Sequence, residues 1–350
     1  MNMQAALDTI DGRKIYLYPE QPQMQVEVIL ASKGPHQSKP LYTIRMRYPR
    51  IIHGEIMTHR VFSRNARSSR AVPVKTMLDE VLNIPFIPWH WGKNQKGMQA
   101  NQECNNPVII PNSYVNYWDS DTPISREAAW LYASERTVEV AEAFMEADYH
   151  KQIPNRLLEP FSWIDTLITA TEWDNFLWLR DHTDAEPHLQ DLARLVRQAI
   201  DNADVEELKP GQWHLPYITE EDWKTEETQS QTDSHLWLCK ISAARCARIS
   251  YKPFDGDASY ERELERYDSL VTADRVHASP LEHQATPDKM CTYDTNIFDK
   301  TNDGLTPIET LEFYVAGRNP ELHGNLDGWI QYRKTIPNEA KTVGVLDPNV

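Results

Sequence analysis

The chain has 350 residues, 40% of them hydrophobic, with a formal net charge of -16 and a pI of about 5.2. This composition excludes a disordered chain, and the acidity argues against a protein whose whole surface grips DNA or RNA. The sequence has no apolar run of bilayer length, no signal-peptide pattern and no zinc or C-x-x-C spacing among its four cysteines. We therefore expect a cytoplasmic protein without a metal site and without a membrane or nucleic acid polymer as partner.

Periodicity predicts the elements in chain order, beginning with one or two leader strands in an N-terminal extension over residues 1–40. Residues 41–48 alternate apolar and polar side chains, which is the pattern of a half-exposed strand. Pro49 suits the first turn of a helix that is expected to fade near Phe62 into a loop. Residues 83–122 are rich in Pro, Asn and Trp and lack periodicity, so we expect a long ordered insertion.

Helical periodicity dominates the section after the insertion. Ser125 is a candidate cap for a helix that runs to about residue 150. Further helices are expected over residues 161–180 and 185–200, and the acidic composition of residues 219–234 predicts a surface linker. The remaining predicted elements are a strand or helix over residues 236–251 and a helix over residues 260–273.

Positive charge is concentrated in one short stretch of this acidic chain. Seven arginines lie between residues 45 and 70, and Glu55 is the one carboxylate among them. The planar guanidinium pairs two phosphate oxygens at once, so the cluster is typical of an anion site. A solvated basic face that pairs with acidic neighbours has the same composition, and charge alone does not decide between the two. The arginines are Arg45, Arg47, Arg50, Arg60, Arg64, Arg67 and Arg70.

The spacing in this stretch resembles the signature of flavin-dependent thymidylate synthases. That signature reads Arg-His-Arg, seven residues and then Ser, with an internal Ser, an Asn-Glu pair and a closing Arg. The sequence THRVFSRNARSSR over residues 58–70 follows it, with departures at Thr58 for Arg, Ala66 for Glu and Ala71 for an aromatic residue. The matching residues are His59, Arg60, Ser63, Asn65, Ser68 and Arg70.

Four more segments resemble motifs of the same family. NRLLEP over residues 155–160 is similar to Ala-Arg-x-x-Leu-Pro, and NFLWLR over residues 175–180 is similar to Asn-Phe-x-x-Leu-Arg. ARIS over residues 247–250 and HASPLEH over residues 277–283 resemble segments that precede the signature in the family but follow it here. The order is that of a circular permutation, and the acidic linker is its natural seam.

The resemblance implies an α+β fold with a mostly antiparallel sheet flanked by long helices, circularly permuted relative to the family. We expect a single permuted domain over residues 1–350, and an oligomer, because the family forms homotetramers with shared sites. Its predicted parts are the extension (1–40), the signature, insertion and helical part (41–218), the acidic linker (219–234) and the permuted segment with a C-terminal extension (235–350).

The resemblance also implies a chemistry, the conversion of dUMP to dTMP. FAD would be the cofactor, and NADPH and methylene-tetrahydrofolate the co-substrates. The catalytic candidates are Ser68 and Arg180. The positive charge of Arg180 would stabilise the charge that develops on the pyrimidine ring during the reaction. The candidate substrate-binding residues are Glu55, Ser68, Ser69, Arg70, Arg156 and Arg180. The candidate flavin-lining residues are His59, Arg60, Asn65, Asn175, Ser250, His277, Ser279 and Glu282.

The departures at Thr58 and Ala66 leave three functions open. The first is thymidylate synthesis, and the second is flavin-dependent hydroxymethylation of a pyrimidine deoxynucleotide for modified DNA. The third is a non-catalytic nucleotide-binding homologue that keeps the fold. Taken alone, Arg156 is equally typical of a surface ion pair. GWIQYRK over residues 328–334 has no predicted role.

Overall fold

The structure is a computed structural model, and it describes most of the chain in several stretches. These are residues 6–10, 13–18, 21–35, 39–100, 102–111, 123–229, 235–249, 257–272, 276–294, 313–337 and 339–340. The strands are β1 (Ala6–Ile10), β2 (Arg13–Tyr18), β3 (Gln21–Lys33), β4 (Leu41–Pro49), β5 (Ser63–Ala66), β6 (Trp163–Ala170), β7 (Glu206–Glu207), β8 (Ala285–Pro287), β9 (Met290–Asp294), β10 (Phe313–Gly317) and β11 (Trp329–Gln331). The α-helices are α1 (His53–Ile56), α2 (Val74–Asn83), α3 (Arg126–Glu146), α4 (Gln152–Leu157), α5 (Asp174–Arg180), α6 (Pro187–Asp201), α7 (Glu220–Gln229), α8 (Leu236–Ala247) and α9 (Tyr260–Val271).

The main sheet has the strand order β1-β2-β3-β4-β6-β5, and each neighbouring pair along this path is antiparallel. The short strand β7 joins it by parallel pairing with β3. Two small antiparallel pairs, β8 with β11 and β9 with β10, lie outside it. The sheet and its helices confirm the expected α+β class. The predicted N-terminal extension supplies β1, β2 and β3 of the main sheet.

Residues 161–180 do not form the single helix that was predicted. They form β6, a turn and then α5. The sequence WIDTLITA of β6 is rich in β-branched residues, which lose side-chain freedom in a helix and pack well on a pleated strand. β6 lies between β4 and β5 and is almost entirely buried, so it lacks the alternation that marks a half-exposed strand.

The helix expected from Pro49 to Phe62 is shorter than predicted. A 3₁₀ turn over Arg50–Ile52 leads into α1, which ends at Ile56. The polar residues after Phe62, predicted as a loop, form β5 at the edge of the sheet, where they pair with β6. A four-residue edge strand of mostly polar residues shows no alternation of apolar and polar side chains. It forms because its backbone pairs with β6, and not because one of its faces is apolar.

The main core lies between the sheet and α6. Leu189, Leu192 and Val196 of α6 have no exposed surface and belong to one apolar cluster with Ile44 of β4 and Ile168 of β6. Full burial of each such side chain stabilises the fold by about 1.5–3 kcal/mol. α6 packs on β2, β3 and β4, so the predicted helix over residues 185–200 holds the sheet that carries the signature.

The insertion lies against the start of α3. Ser125 caps α3 as predicted, because its hydroxyl accepts a hydrogen bond from the Ala128 amide at 3.1 Å. Within the described part of the insertion, isolated bridges join Gly92 to Glu103 and Val108 to Ile124. No helix in the ranges given above combines the length and apolar character needed to cross a bilayer.

Part of the predicted acidic linker is a helix, α7, that contacts α8. Its Asp222 is buried and accepts hydrogen bonds from both terminal nitrogens of Arg245, at 2.6 and 2.9 Å, and from the Thr219 amide at 2.7 Å. Burial raises the pKa of the Asp222 carboxyl, but the hydrogen bonds from Arg245 and Thr219, together with the charge of Arg245, outweigh burial and hold the pKa below its usual value. The acidic helix α7 is therefore held against α8 by this ion pair.

Replacement of Asp222 by alanine is expected to lower the free energy of unfolding by about 3–5 kcal/mol, because it removes the carboxylate partner of a buried guanidinium. Urea denaturation measures the loss. Glu221→Ala, one residue earlier and exposed, is the control and is expected to change stability by less than about 0.5 kcal/mol. Because the native pKa of Asp222 is depressed, its contribution is complete above the unfolded pKa of about 3.9 and is lost as pH falls below it. Equal stability of the two variants at pH 7 would contradict the prediction.

Candidate functional site

A cleft of about 710 Å³ opens where the signature strand meets the end of α8. This volume lies within the range of about 300–1,000 Å³ that is typical of small-molecule sites. β4, β5, β6, the start of α2 and the residues after α8 form its walls. The lining residues are Arg45, Ala66, Arg67, Ser68, Ala71, Val72, Pro73, Thr76, Asp165, Ala247, Arg248 and Ile249.

The Asn65 side chain joins three of the predicted motifs next to this cleft. Its amide nitrogen donates to the Cys246 carbonyl at 2.9 Å, and its amide oxygen accepts from the Ser279 hydroxyl at 2.8 Å. Cys246 immediately precedes the ARIS segment, and Ser279 lies in HASPLEH, more than two hundred residues after Asn65 in the sequence. The signature and both C-terminal motifs therefore meet at one amide.

Ile249, at the wall of the cleft, has a strained backbone. Its φ of 59° places it in the left-handed region, which a β-branched residue adopts at a cost of about 1–3 kcal/mol. The Tyr217 hydroxyl, which is buried, donates to the Ile249 carbonyl at 3.2 Å and helps to hold this conformation. Such strain is concentrated at binding and catalytic sites, and here it aims the residues after α8 at the cleft.

The arginine cluster is largely neutralised by acidic partners. Arg45 pairs with Glu27 at 3.1 Å and Arg47 with Asp165 at 2.7 Å. Arg50 pairs with Glu159 at 2.8 Å and Arg67 with Glu80 at 2.7 Å. These four follow the alternative of a basic face that pairs with acidic neighbours. Arg45 and Arg67 still line the cleft, so two guanidinium groups meet its interior with part of their charge compensated.

The predicted substrate-binding residues are only partly brought together. Ser68 lines the cleft, whereas the side chains of Arg70 and Arg156 are exposed and do not belong to its described lining. Ser69 is buried, and its carbonyl accepts from the Asn155 amide at 2.7 Å, an amide that also donates to the Val72 carbonyl at 2.9 Å. Asn155, the first residue of the NRLLEP segment, therefore holds the backbone of residues 69–72 at the end of the signature.

Arg180 lies in a second cluster, at the end of α5. Its Nε donates to His59 Nε2 at 3.0 Å, and its Nη2 donates to the Thr58 hydroxyl at 3.0 Å. Thr58 in turn donates to the Glu55 carbonyl at 2.6 Å. Burial, together with the charges of Arg180 and Arg64, lowers the pKa of His59 to about 4, so this imidazole is neutral and accepts at Nε2.

The other predicted flavin-lining residues occupy the surface around these two clusters. Arg60, Asn175 and His277 are exposed. Glu282 is half-buried and ion-paired with Arg333. Ser250 lies outside the described residues. The structure therefore brings Asn65 and Ser279 together and places Glu282 in the same segment as Ser279.

Several residues that support the site were not predicted from the sequence. Gln331 and Asn325, both from the C-terminal section, contact the Ser63 hydroxyl through their side chains. Asp165 and the start of α2 line the cleft without belonging to any quoted motif, whereas Arg45 is indicated by the arginine cluster. The one available signal was the unassigned GWIQYRK segment, whose residues 329–331 pair with β8 directly after HASPLEH.

The chain is similar to solved structures of pyrimidine nucleotide enzymes. Flavin-dependent thymidylate synthase ThyX from Helicobacter pylori, complexed with FAD and dUMP, is 20% identical over 46% of this chain and 67% of that chain, with a TM-score of 0.29. A second structure of that enzyme, also with FAD and dUMP, is 21% identical over the same shares, with a TM-score of 0.28. The UMP/dUMP methylase PolB from Streptomyces cacaoi, bound with 5-Br UMP, is 13% identical over 51% of this chain and 88% of that chain, with a TM-score of 0.34. No family model and no curated protein matches the sequence. At these low identities and TM-scores the similarity supports no function for this chain.

Buried neutral histidines make the stability of the fold dependent on pH. Burial lowers the pKa of His53 and His59 to about 4, and that of His214 and His283 to about 3. Each titrates near pH 6.5 in the unfolded chain, which therefore binds more protons than the native state below that pH. The free energy of unfolding is expected to fall as pH drops from about 6.5 towards 4, by up to about 1.4 kcal/mol per pH unit for each histidine.

The His59→Gln variant tests this linkage at the Arg180 cluster. The glutamine oxygen retains an acceptor for Arg180 but binds no proton, so the pH dependence of unfolding is expected to be shallower by up to one proton equivalent. Urea denaturation at pH 7, 6 and 5 measures the slope. The exposed His277→Gln is the control and is expected to keep the native slope. An unchanged slope in His59→Gln would show that His59 is protonated in the native state.

Proposed function

We propose that this chain is an FAD-dependent enzyme that transfers a one-carbon unit to C5 of a pyrimidine deoxynucleotide, with conversion of dUMP to dTMP as the first candidate reaction. The observation that supports it most is the contact of Asn65 with Cys246 and Ser279 beside the cleft. Segments that resemble one family and stand in rotated order along the chain converge at one place. An accidental resemblance gives no reason for them to meet.

The cleft has the chemical character that a flavin and a nucleotide need. Ala71, Val72 and Ile249 form an apolar wall suited to a flat ring, and Arg45 and Arg67 bring positive charge towards phosphate groups. When bound, FAD would supply the reducing equivalents for the transferred carbon, with NADPH and methylene-tetrahydrofolate as co-substrates. The protein's part is to bind and orient these groups and to exclude water.

Arg180 is the cation best suited to stabilise charge that develops on the pyrimidine. Its partners among the described residues, His59 and Thr58, are both neutral, whereas four arginines of the signature stretch have carboxylate partners. A guanidinium held by neutral acceptors keeps its full charge and a fixed orientation. His59 therefore acts as a positioning residue for Arg180.

We place the complete site between copies of the chain. Arg180 does not belong to the described lining of the cleft, and it lies beside two exposed apolar side chains of α5, Trp178 (75% exposed) and Leu179 (42% exposed). A large aromatic side chain left in solvent beside a catalytic candidate is typical of an interface. In a homotetramer, Arg180 and Asn175 of one copy would meet the cleft of another.

Two departures from the family pattern bear on the alternative functions. Thr58 accepts from Arg180, a contact that the arginine usual at this position would not provide. Ala66 lines the cleft, so the glutamate that is absent there leaves more room and less negative charge. A roomier cleft favours hydroxymethylation as the second candidate reaction. A protein that retained the cleft but bound no FAD would be a non-catalytic nucleotide-binding homologue.

An FAD titration of the purified protein tests the proposal, with the visible spectrum recorded with and without dUMP. Saturable binding whose spectrum changes with the nucleotide is the expected result. The product of a reaction with NADPH and methylene-tetrahydrofolate is then weighed, because a methyl and a hydroxymethyl group differ in mass. Size-exclusion chromatography with light scattering reports the oligomeric state. Absence of FAD binding in the oligomer would refute the enzymatic proposal.

Arg180→Ala is expected to lower turnover by about 10²–10³-fold while FAD remains bound, because it removes a preorganised cation from the reacting ring. Steady-state turnover and the FAD dissociation constant are both measured. Arg197→Ala is the matched control. Arg197 lies on the neighbouring helix α6, forms an ion pair with Asp181 at 2.9 Å, and has a side chain that is 44% exposed. Native turnover in Arg180→Ala, or an equal loss in the control, would remove Arg180 from the mechanism.

A further inference from the structure

The C-terminal section holds the predicted site through a side-chain amide. Gln331 on β11 is 1% exposed, and its Nε2 lies 3.3 Å from the Ser63 hydroxyl, 3.2 Å from the Glu282 carbonyl and 3.0 Å from Asn325 Oδ1. An amide nitrogen has two hydrogens, so three acceptors at this range share them. Ser63 belongs to the signature and Glu282 to HASPLEH, and one buried amide connects both.

Asn325 adds a second connection from the same section. Its Nδ2 donates to the Val61 carbonyl at 2.8 Å and to the Ser63 hydroxyl at 3.0 Å. The turn that carries it depends on Gly324, whose φ is 60° and whose absent Cβ would lie 2.7 Å from Gln331 Oε1. An added Cβ would push the Gln331 amide from its position, and the positive φ itself favours glycine.

Arg333 holds the Glu282 side chain itself. Its Nη1 forms an ion pair with the Glu282 carboxylate, and its Nε donates to Glu339 at 2.6 Å. Burial lowers the pKa of Arg64, and the nearby charge of Glu282 opposes this effect, so Glu282 also faces Arg64 of the signature stretch. The Glu282 carboxylate thus lies near two cations and is fixed by one of them.

We propose that Asn325, Gln331 and Arg333 form a C-terminal clamp whose members are positioning residues of the cofactor site. The clamp fixes Ser63 and Glu282 and, through the turn over Ser279–Glu282, the Ser279 hydroxyl that contacts Asn65. A residue that contacts the cofactor must be held to within a fraction of an ångström, and side chains behind it supply that restraint. This inference rests on the proposed function for its cofactor and adds residues that lie outside every motif of the resemblance.

The test compares two clamp variants with a neighbour that packs in the same turn. Arg333→Gln removes the charge on Glu282, and Gln331→Met removes the amide while retaining its length. Tyr332→Phe is the matched control, because its buried hydroxyl contacts the Tyr267 hydroxyl at 2.8 Å on α9 rather than Glu282 or Ser63. Arg333→Lys restores the positive charge and serves as the rescue variant.

Three quantities are measured on the full chain: the FAD dissociation constant, the thermal midpoint, and backbone amide exchange over residues 61–65 and 279–283 in protein free of FAD. Arg333→Gln and Gln331→Met are expected to weaken FAD binding by about tenfold and to accelerate exchange in these two segments. Arg333→Lys is expected to recover part of the affinity. Tyr332→Phe is expected to lower the midpoint while leaving the affinity and the two segments unchanged.

Native FAD affinity in both clamp variants would overturn the proposal. A loss of affinity in Tyr332→Phe as large as that in the clamp variants, at the same thermal midpoint, would also overturn it. If the native protein bound no FAD, the proposed function would fail, and exchange would then decide the clamp. Acceleration confined to residues 61–65 and 279–283 would support it, and acceleration spread over the whole chain would refute it.

Discussion

A line of buried hydrogen bonds fastens the second half of the chain to the main sheet. His214 lies 2.8 Å from the Ser32 hydroxyl on one side and 2.8 Å from the Thr43 hydroxyl on the other. Thr43 and Thr169 are 2.6 Å apart, and Thr169 lies 2.8 Å from His283 Nδ1. None of the five residues has exposed surface. A buried polar group without its partner costs about 1–3 kcal/mol, so the segments that bear the two histidines dock in one register.

That register determines how the cleft is assembled. His283 ends HASPLEH, and once Thr169 holds it, the turn over Ser279–Glu282 has a fixed position over β5, where Asn65 contacts Ser279. The burial that lowers the pKa of both histidines also keeps them neutral, so the line carries no charge into the core. The C-terminal motifs therefore pack on the main sheet through contacts within one chain.

The sequence predicted the elements that local rules determine. Alternation identified β4, and Ser125 marked the start of α3, because amphipathic periodicity and capping are encoded within a few residues. It failed at β6, where burial of nearly the whole strand removes the periodic signal. The site was predicted as a set of motifs, and the structure shows contacts of Asn65 with Cys246 and Ser279, while the roles of these residues stay a prediction. The partners of the arginines were beyond reach, since Arg50 meets Glu159 more than a hundred residues away.

The ion pairs distinguish four arginines of the signature stretch, which have carboxylate partners, from Arg180, whose partners are neutral. The chain is rich in carboxylates, and four of the seven arginines of the signature stretch form an ion pair with one of them. These ion pairs stabilise β4 and the loops beside it, but they weaken the attraction of the arginines for an anion. Arg180 is held by an imidazole and a hydroxyl instead, and the low pKa of His59 follows from burial and from that neighbouring charge. A neutral acceptor does not offset the positive charge of the guanidinium group. Arg180 thus has neutral partners where four arginines of the signature stretch have carboxylates, and it lies at the end of α5 beside the exposed side chains of Trp178 and Leu179.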